Sequence, residues 1–215
     1  MPLTRRRLAL ALAALPLAGP ALAARPIIAP LSYADRALVD RAATYLQGLT
    51  EAQAHFVQTD PRGATSQGTL YLQRPGKARF AYDPPSGLLV VADGHSVAIA
   101  NSQLKTFNRV PLMTTPLSIF LARQIRLDKG IVISEVSHMA DGFSLTARDG
   151  KKEAEGQITL TFSDNPLALA GWTVTDAQGA STRVRLSPLD RSGGLDQNLF
   201  VLHDPRTRTS GRAGM

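Results

Sequence analysis

Four histidines, His55, His95, His138 and His203, are the side chains best suited by type to proton transfer or metal ligation near neutral pH. None stands at the His-x-x-x-His spacing that sets two imidazoles on one helix face, so no metal site is expected. Asp93-Gly94-His95 sets a carboxylate beside an imidazole, but Asp-Gly between two apolar segments is what a hairpin turn demands. There is no Gly-x-Ser-x-Gly elbow and no glycine-rich phosphate loop. The 215 residues include no cysteine, which excludes disulfides, thiolate catalysis, Cys-based metal sites and a lipid-modified cysteine. The chain reads as a binding protein without a cofactor rather than as an enzyme.

A different residue draws the eye in "GTLYLQRPGKARFAYDPP", residues 68 to 85. The stretch predicts a strand, a turn at Pro75-Gly76 and a second strand. Alternate residues of a strand share a face, so Leu70, Leu72 and Arg74 form one row and Thr69, Tyr71 and Gln73 the other. Arg74 thus ends an apolar row. Taken alone, it closes a strand before Pro75 and reaches water by snorkelling.

The elements that would position it follow from periodicity. Ser32 to Gly48 carries Ala34, Leu38, Ala42, Tyr45 and Leu46 at helical spacing, with Ser32 as N-cap and Gly48 as stop. "TTPLSIFLARQIRL", from Thr114, predicts a second, short helix with Thr115 as N-cap, Pro116 at its first position and Leu117, Phe120 and Leu121 on one side. Between and after them lie eleven short segments with strand character, joined mostly by short turns such as Asp83-Pro84-Pro85-Ser86-Gly87, Asp141-Gly142 and Asp149-Gly150. Strands joined this way pair antiparallel in a meander. Rows such as Phe143, Leu145 and Ala147, or Ile158, Leu160 and Phe162, alternate with Ser, Thr, Gln or Arg, which predicts a large curved sheet apolar on one face. Two modest helices must cover that face. Either the sheet collapses into a filled core or an apolar cavity remains, and the pattern is compatible with both.

The ends and the charge set the setting. Residues 1–23 have the three parts of a secretory signal: Arg5 to Arg7, an apolar run from Leu8, and Ala21-Leu22-Ala23 for cleavage. Thr4 to Leu8 also loosely fits a twin-arginine signal. Cleavage after Ala23 leaves 192 residues, read as one domain over 24–203 and a disordered tail over 204–215. It removes three of 24 Lys and Arg and none of 17 acids, so the net charge falls from +7 to +4. No basic stretch is interleaved with aromatics, so nucleic-acid binding is not expected.

The order of features resembles the outer-membrane lipoprotein carrier protein (LolA) family. The pattern is carried by Phe56 and Gln58, by Gly68, Leu70, Arg74, Pro75, Gly76, Lys77, Arg79, Phe80, Tyr82 and Pro85, by Leu89, Val91, Asp93 and Gly94, by Leu104 and Phe107, and by Thr115, Pro116, Leu117 and Leu121. It spans about residues 33 to 202, and its specific block is Gly68 to Gly94.

The resemblance implies a mainly β fold, an incomplete antiparallel barrel of about eleven strands with a helical lid over an apolar cavity. It implies a periplasmic monomer that takes acylated lipoproteins from an inner-membrane lipoprotein-releasing ABC transporter complex and hands them to an outer-membrane acceptor. Arg74 then resembles the family's arginine that hydrogen-bonds backbone carbonyls of the lid and locks it. Leu70, Leu72, Phe80, Tyr82, Leu89 and Val91 would line the cavity, and Leu38, Leu46, Leu117, Phe120 and Leu121 would belong to the lid; each is equally compatible with plain core. "AIA" at 98–100 stands where the family often has aromatics, which implies a more aliphatic lining. Two other readings of the same fold are a sensor of lipoprotein or lipid, which usually carries a further C-terminal domain, and a carrier of another lipid such as a glycolipid.

Overall fold

A computed structural model describes residues 30–115, 117–125, 130–150 and 156–204. The signal-like segment, Pro116 and all but the first residue of the C-terminal tail lie outside the described residues.

Helix α1 (Tyr33–Gly48) begins where its cap predicts: the Ser32 hydroxyl accepts a 3.0 Å hydrogen bond from the Asp35 amide. Its buried side is Val39, Ala42 and Leu46, with Leu38 and Tyr45 half-buried beside them. Ala34 lies outside this stripe and is exposed.

Eleven strands follow: β1 (Glu51–Thr59), β2 (Thr65–Gln73), β3 (Lys77–Tyr82), β4 (Leu88–Asp93), β5 (Ser96–Asn101), β6 (Thr106–Pro111), β7 (Ile131–Met139), β8 (Gly142–Asp149), β9 (Gln157–Asp164), β10 (Leu167–Thr175) and β11 (Ser181–Leu186). They form one antiparallel sheet in the order β6-β5-β4-β3-β2-β1-β11-β10-β9-β8-β7. The sheet is not closed, and β6 and β7 are its edges. Helix α2 (Leu117–Leu121) follows a 3-10 turn at Leu112–Thr114 in the connection between those edge strands. The Thr115 hydroxyl, expected to cap α2, instead donates to the Leu112 carbonyl at 2.8 Å.

The sheet curls onto itself. Phe80 on β3 and Trp172 on β10 are four strand spacings apart, which in a flat sheet would separate them by ~19 Å. Their ring centroids lie 5.9 Å apart. The face that this curvature makes concave carries the buried core, with residues from β1 to β5 and β7 to β11, and both helices pack against it.

Register decides which row points inward. Leu70 pairs with Phe80 and Leu72 with Ala78, and these in turn pair with Val90 and Ala92. All six belong to the core or pack on it. Leu89 and Val91 face Ala81 and Arg79 and therefore lie on the opposite, convex face, contrary to the expectation that they share a lining with Leu70. Val91 is nevertheless buried, because the 3-10 helix Gln197–Phe200 packs against β3 and β4. Arg79, on the same convex row, donates to the Leu199 carbonyl at 2.9 Å. On β5 the "AIA" stretch gives the inner face only Ile99, while Phe56, Phe80, Phe120, Phe143, Phe162 and Trp172 make the core aromatic elsewhere.

Candidate functional site

Arg74 follows the last residue of β2 and continues the inward row of Leu70 and Leu72. Its side chain is buried. Nη1 donates to the carbonyl of Leu46 and, at 3.4 Å, to that of Leu49; Nη2 donates to the carbonyl of Ala122 at 2.7 Å. Leu46 is in the last turn of α1, Leu49 is its C-cap, and Ala122 directly follows α2. One guanidinium thus ties the C-terminal ends of both helices to the end of β2. Nε is enclosed and without a partner.

The physics favours this arrangement at a helix end. The last carbonyls of a helix lack intrahelical donors and carry the negative end of its dipole. A planar group with five donors and no acceptor can satisfy carbonyls from two elements at once. Burial holds the Arg74 pKa below its ordinary value, because removal from water disfavours the charged form.

Backbone bonds reinforce the junction: the Arg74 amide donates to Thr50 at 2.7 Å and the Gly76 amide to Leu121 at 2.8 Å. Gly76 has φ +82°, and a Cβ there would meet the Gly94 Cα at 2.7 Å, so the turn needs glycine. Gln47 bridges the helices from its other side, accepting from the Ile125 amide at 2.9 Å and donating to the Arg123 carbonyl at 3.2 Å. Arg191 donates to the Gly48 carbonyl at 2.7 Å.

Elsewhere α1 is held by exposed pairs. Arg41 meets Asp164, the last residue of β9, at 2.6 Å, and His138 of edge strand β7 meets Asp35 at 2.9 Å. The hydrogen bond from Ser32 first, and His138 next, hold the Asp35 carboxyl below its usual range. Such pairs are weak one by one. The cover is therefore fastened firmly at its Arg74 end and lightly along the rest.

Beneath the cover, Phe120 of α2 stacks on Trp172 at 5.7 Å and Trp172 meets Phe80 edge-on at 5.9 Å. Leu46, Phe120 and Leu121 are buried against the sheet, and Leu38 and Leu117 are half-buried there. Leu70, Leu72, Phe80 and Tyr82 lie on the concave face. The four strand residues thus share the concave face, Arg74 stands at one end of it, and the five helix residues pack on it. Sequence reasoning missed Gln47, Arg191 and the aromatic contact of Trp172. The carbonyl partners of Arg74 leave no side-chain signature, and Trp172 comes from a strand about a hundred residues away from Arg74.

Among the described residues no cluster of His, Asp and Glu could hold a metal ion. No helix among them is long and apolar enough to cross a membrane.

An open antiparallel sheet of eleven strands whose apolar face is roofed by helices pinned through one buried arginine defines a class of binding protein with a covered apolar face. The family model described as outer membrane lipoprotein carrier protein LolA matches residues 47–203, and the chain belongs to that family. It is 32% identical over 171 residues to an outer-membrane lipoprotein carrier protein of Xylella fastidiosa, covering 73% of this chain and 79% of that one. It is 26% identical over 196 residues to the protein of that name from Chromobacterium violaceum, covering 87% and 94%. Among solved structures, a LolA superfamily protein from Nitrosomonas europaea aligns with TM-score 0.45 and 9% identity, over 78% of this chain and 97% of that one.

Proposed function

We propose that this protein is a periplasmic carrier of acylated lipoproteins. Its concave face takes acyl chains released by an inner-membrane ABC transporter complex, and it delivers them to an outer-membrane acceptor. The observation that carries this reading is the junction at Arg74: a buried cation hydrogen-bonds main-chain carbonyls at the ends of two helices that lie over an apolar aromatic face.

Each acyl methylene removed from water is worth ~0.8 kcal/mol, so a multi-chain anchor cannot cross an aqueous space unshielded. The concave face supplies the shield, and with the helices in place aromatic rings pack against one another beneath them. Loading must lift α1 and α2, which breaks the bonds of Arg74 and exchanges ring-on-ring contacts for ring-on-chain contacts. Closure competes with cargo, so the carrier holds chains less tightly than the face alone would, and release becomes possible. Membership of a carrier family supports a role in binding and transport rather than catalysis.

The test is to express the full chain with its leader, recover it from the periplasm, and identify co-purifying molecules by mass spectrometry. Enriched acylated peptides support the reading. Protein free of acyl groups that also takes nothing from inner-membrane vesicles contradicts it.

A further inference from the structure

We propose that Gln58 and Tyr82 form a carbonyl-reading site at the end of the concave face remote from Arg74, which takes the ester carbonyls at the root of a ligand's acyl chains. The inference rests on the carrier reading and adds the part of the ligand that the apolar face leaves unread.

The inner row of β1 runs Ala52, Ala54, Phe56, Gln58, and that of β3 runs Ala78, Phe80, Tyr82. Both rows are apolar from the Arg74 end and turn polar at the same level. Phe56 pairs with Gly68 and Gly68 with Tyr82, so the three lie side by side across β1, β2 and β3. Glycine in the middle leaves room for the Phe56 and Tyr82 rings to meet edge-on at 5.0 Å. From there the Tyr82 hydroxyl donates to Gln58 Oε1 at 2.7 Å.

That bond fixes what remains free. Burial pushes the Tyr82 phenol up to about 12, so it stays protonated and keeps donating near neutral pH. With its oxygen engaged, the Gln58 amide presents two N–H donors, and no protein acceptor among the described residues takes them. Gln58 is half-buried, and its Nε2 is not among the enclosed unpaired atoms, so it borders accessible space. The cross-strand neighbours of Gln58 are Ser66 and Val184, and neither is charged.

Donors without a cation, set where an apolar wall ends, suit a neutral acceptor attached to an apolar body. A phosphate or carboxylate would call for a lysine or arginine beside them. The distance along the strands also fits. From the level of Leu72 to that of Gln58 the rows span six residues, ~20 Å, against ~15 Å for the hydrocarbon of one leaflet. Chains lying along Leu72, Leu70, Phe80 and Phe56 would bring their ester carbonyls to the polar pair.

The experiment measures binding of two synthetic peptides by the full mature chain: one with ester-linked palmitoyl chains on its cysteine, and an analogue with ether-linked chains of the same length. Wild type is expected to prefer the ester form about five- to tenfold, the worth of one or two hydrogen bonds. Gln58→Met should abolish that preference by weakening the ester form alone. Tyr82→Phe, which removes only the hydroxyl and spares the ring packing, should reduce the preference even if Gln58→Met folds poorly. Equal affinity of wild type for both peptides, or a preference unchanged in the variants, overturns the carbonyl site while leaving the carrier reading intact. Failure of wild type to bind either peptide overturns both.

Discussion

Arg74 joins the C-terminal ends of both helices to the end of β2. Replacing it with leucine removes two or three hydrogen bonds to the ends of α1 and α2, each worth about 0.5–1.5 kcal/mol net. The free protein should then open more readily, so its affinity for an acylated peptide rises roughly tenfold and release slows. Melting temperature should change less than transfer, since the variant also relieves a buried cation; equal losses in both would count against a lid role. Arg74→Lys should fall between, because a point charge cannot span carbonyls of two helices. At the other end of α1, Asp35 has a lowered pKa, so its contribution is complete above its ordinary value of 3.8 and is lost as pH falls through the depressed one. Amide exchange in the first turn of α1 should accelerate across that acid window, and Asp35→Asn should flatten the response. Tyr82 behaves in the opposite sense. Its folded-state pKa of about 12 lies above the ordinary 10, so its share of stability is present below 10 and is lost as pH rises toward 12. A tyrosinate absorbance titration should show a late-ionising group that is absent in Tyr82→Phe.

At the scale of elements, the sheet depends on close strand approach at Gly68. A Cβ there would lie 2.1 Å from the Ala81 carbonyl oxygen and 2.7 Å from the Tyr82 Cα, so the backbone of β3 would have to move. Gly68→Ala should cost roughly 1–3 kcal/mol in a denaturant titration and lengthen the Phe56–Tyr82 contact; unchanged stability would mean that the strands are not so tightly coupled. The same scale shows what the chain reveals by itself. Helix α1 was legible because Ser32, the apolar spacing and Gly48 agree. The inward row Leu70, Leu72, Arg74 was legible because its partners Thr69, Tyr71 and Gln73 are more polar. On β4, "LLVVAD" is apolar on both faces, so alternation cannot choose a side, and Leu89 and Val91 went to the wrong one. What makes the convex side apolar is the segment Gln197–Phe200, about a hundred residues further on. No local pattern encodes that contact. The partners of Arg74 escaped for a related reason, being main-chain carbonyls.

For the molecule as a whole, an unclosed sheet needs its edges protected and its open face covered. Arg109 and Pro111 on β6, and Glu135 and His138 on β7, blunt pairing with another chain, so sedimentation should find a monomer across micromolar concentrations. Movement of the cover is directly measurable, since in the absence of native cysteine two engineered cysteines can carry spin labels without background. The labels belong at Thr44, on the exposed side of α1, and Gln67, exposed on β2. A saturating palmitoylated peptide should lengthen the Thr44–Gln67 distance by several ångströms, and Arg74→Leu should lengthen it in part without ligand. A distance that stays fixed while the peptide is bound would contradict the account, because the apolar face would then be core and not a seat for acyl chains.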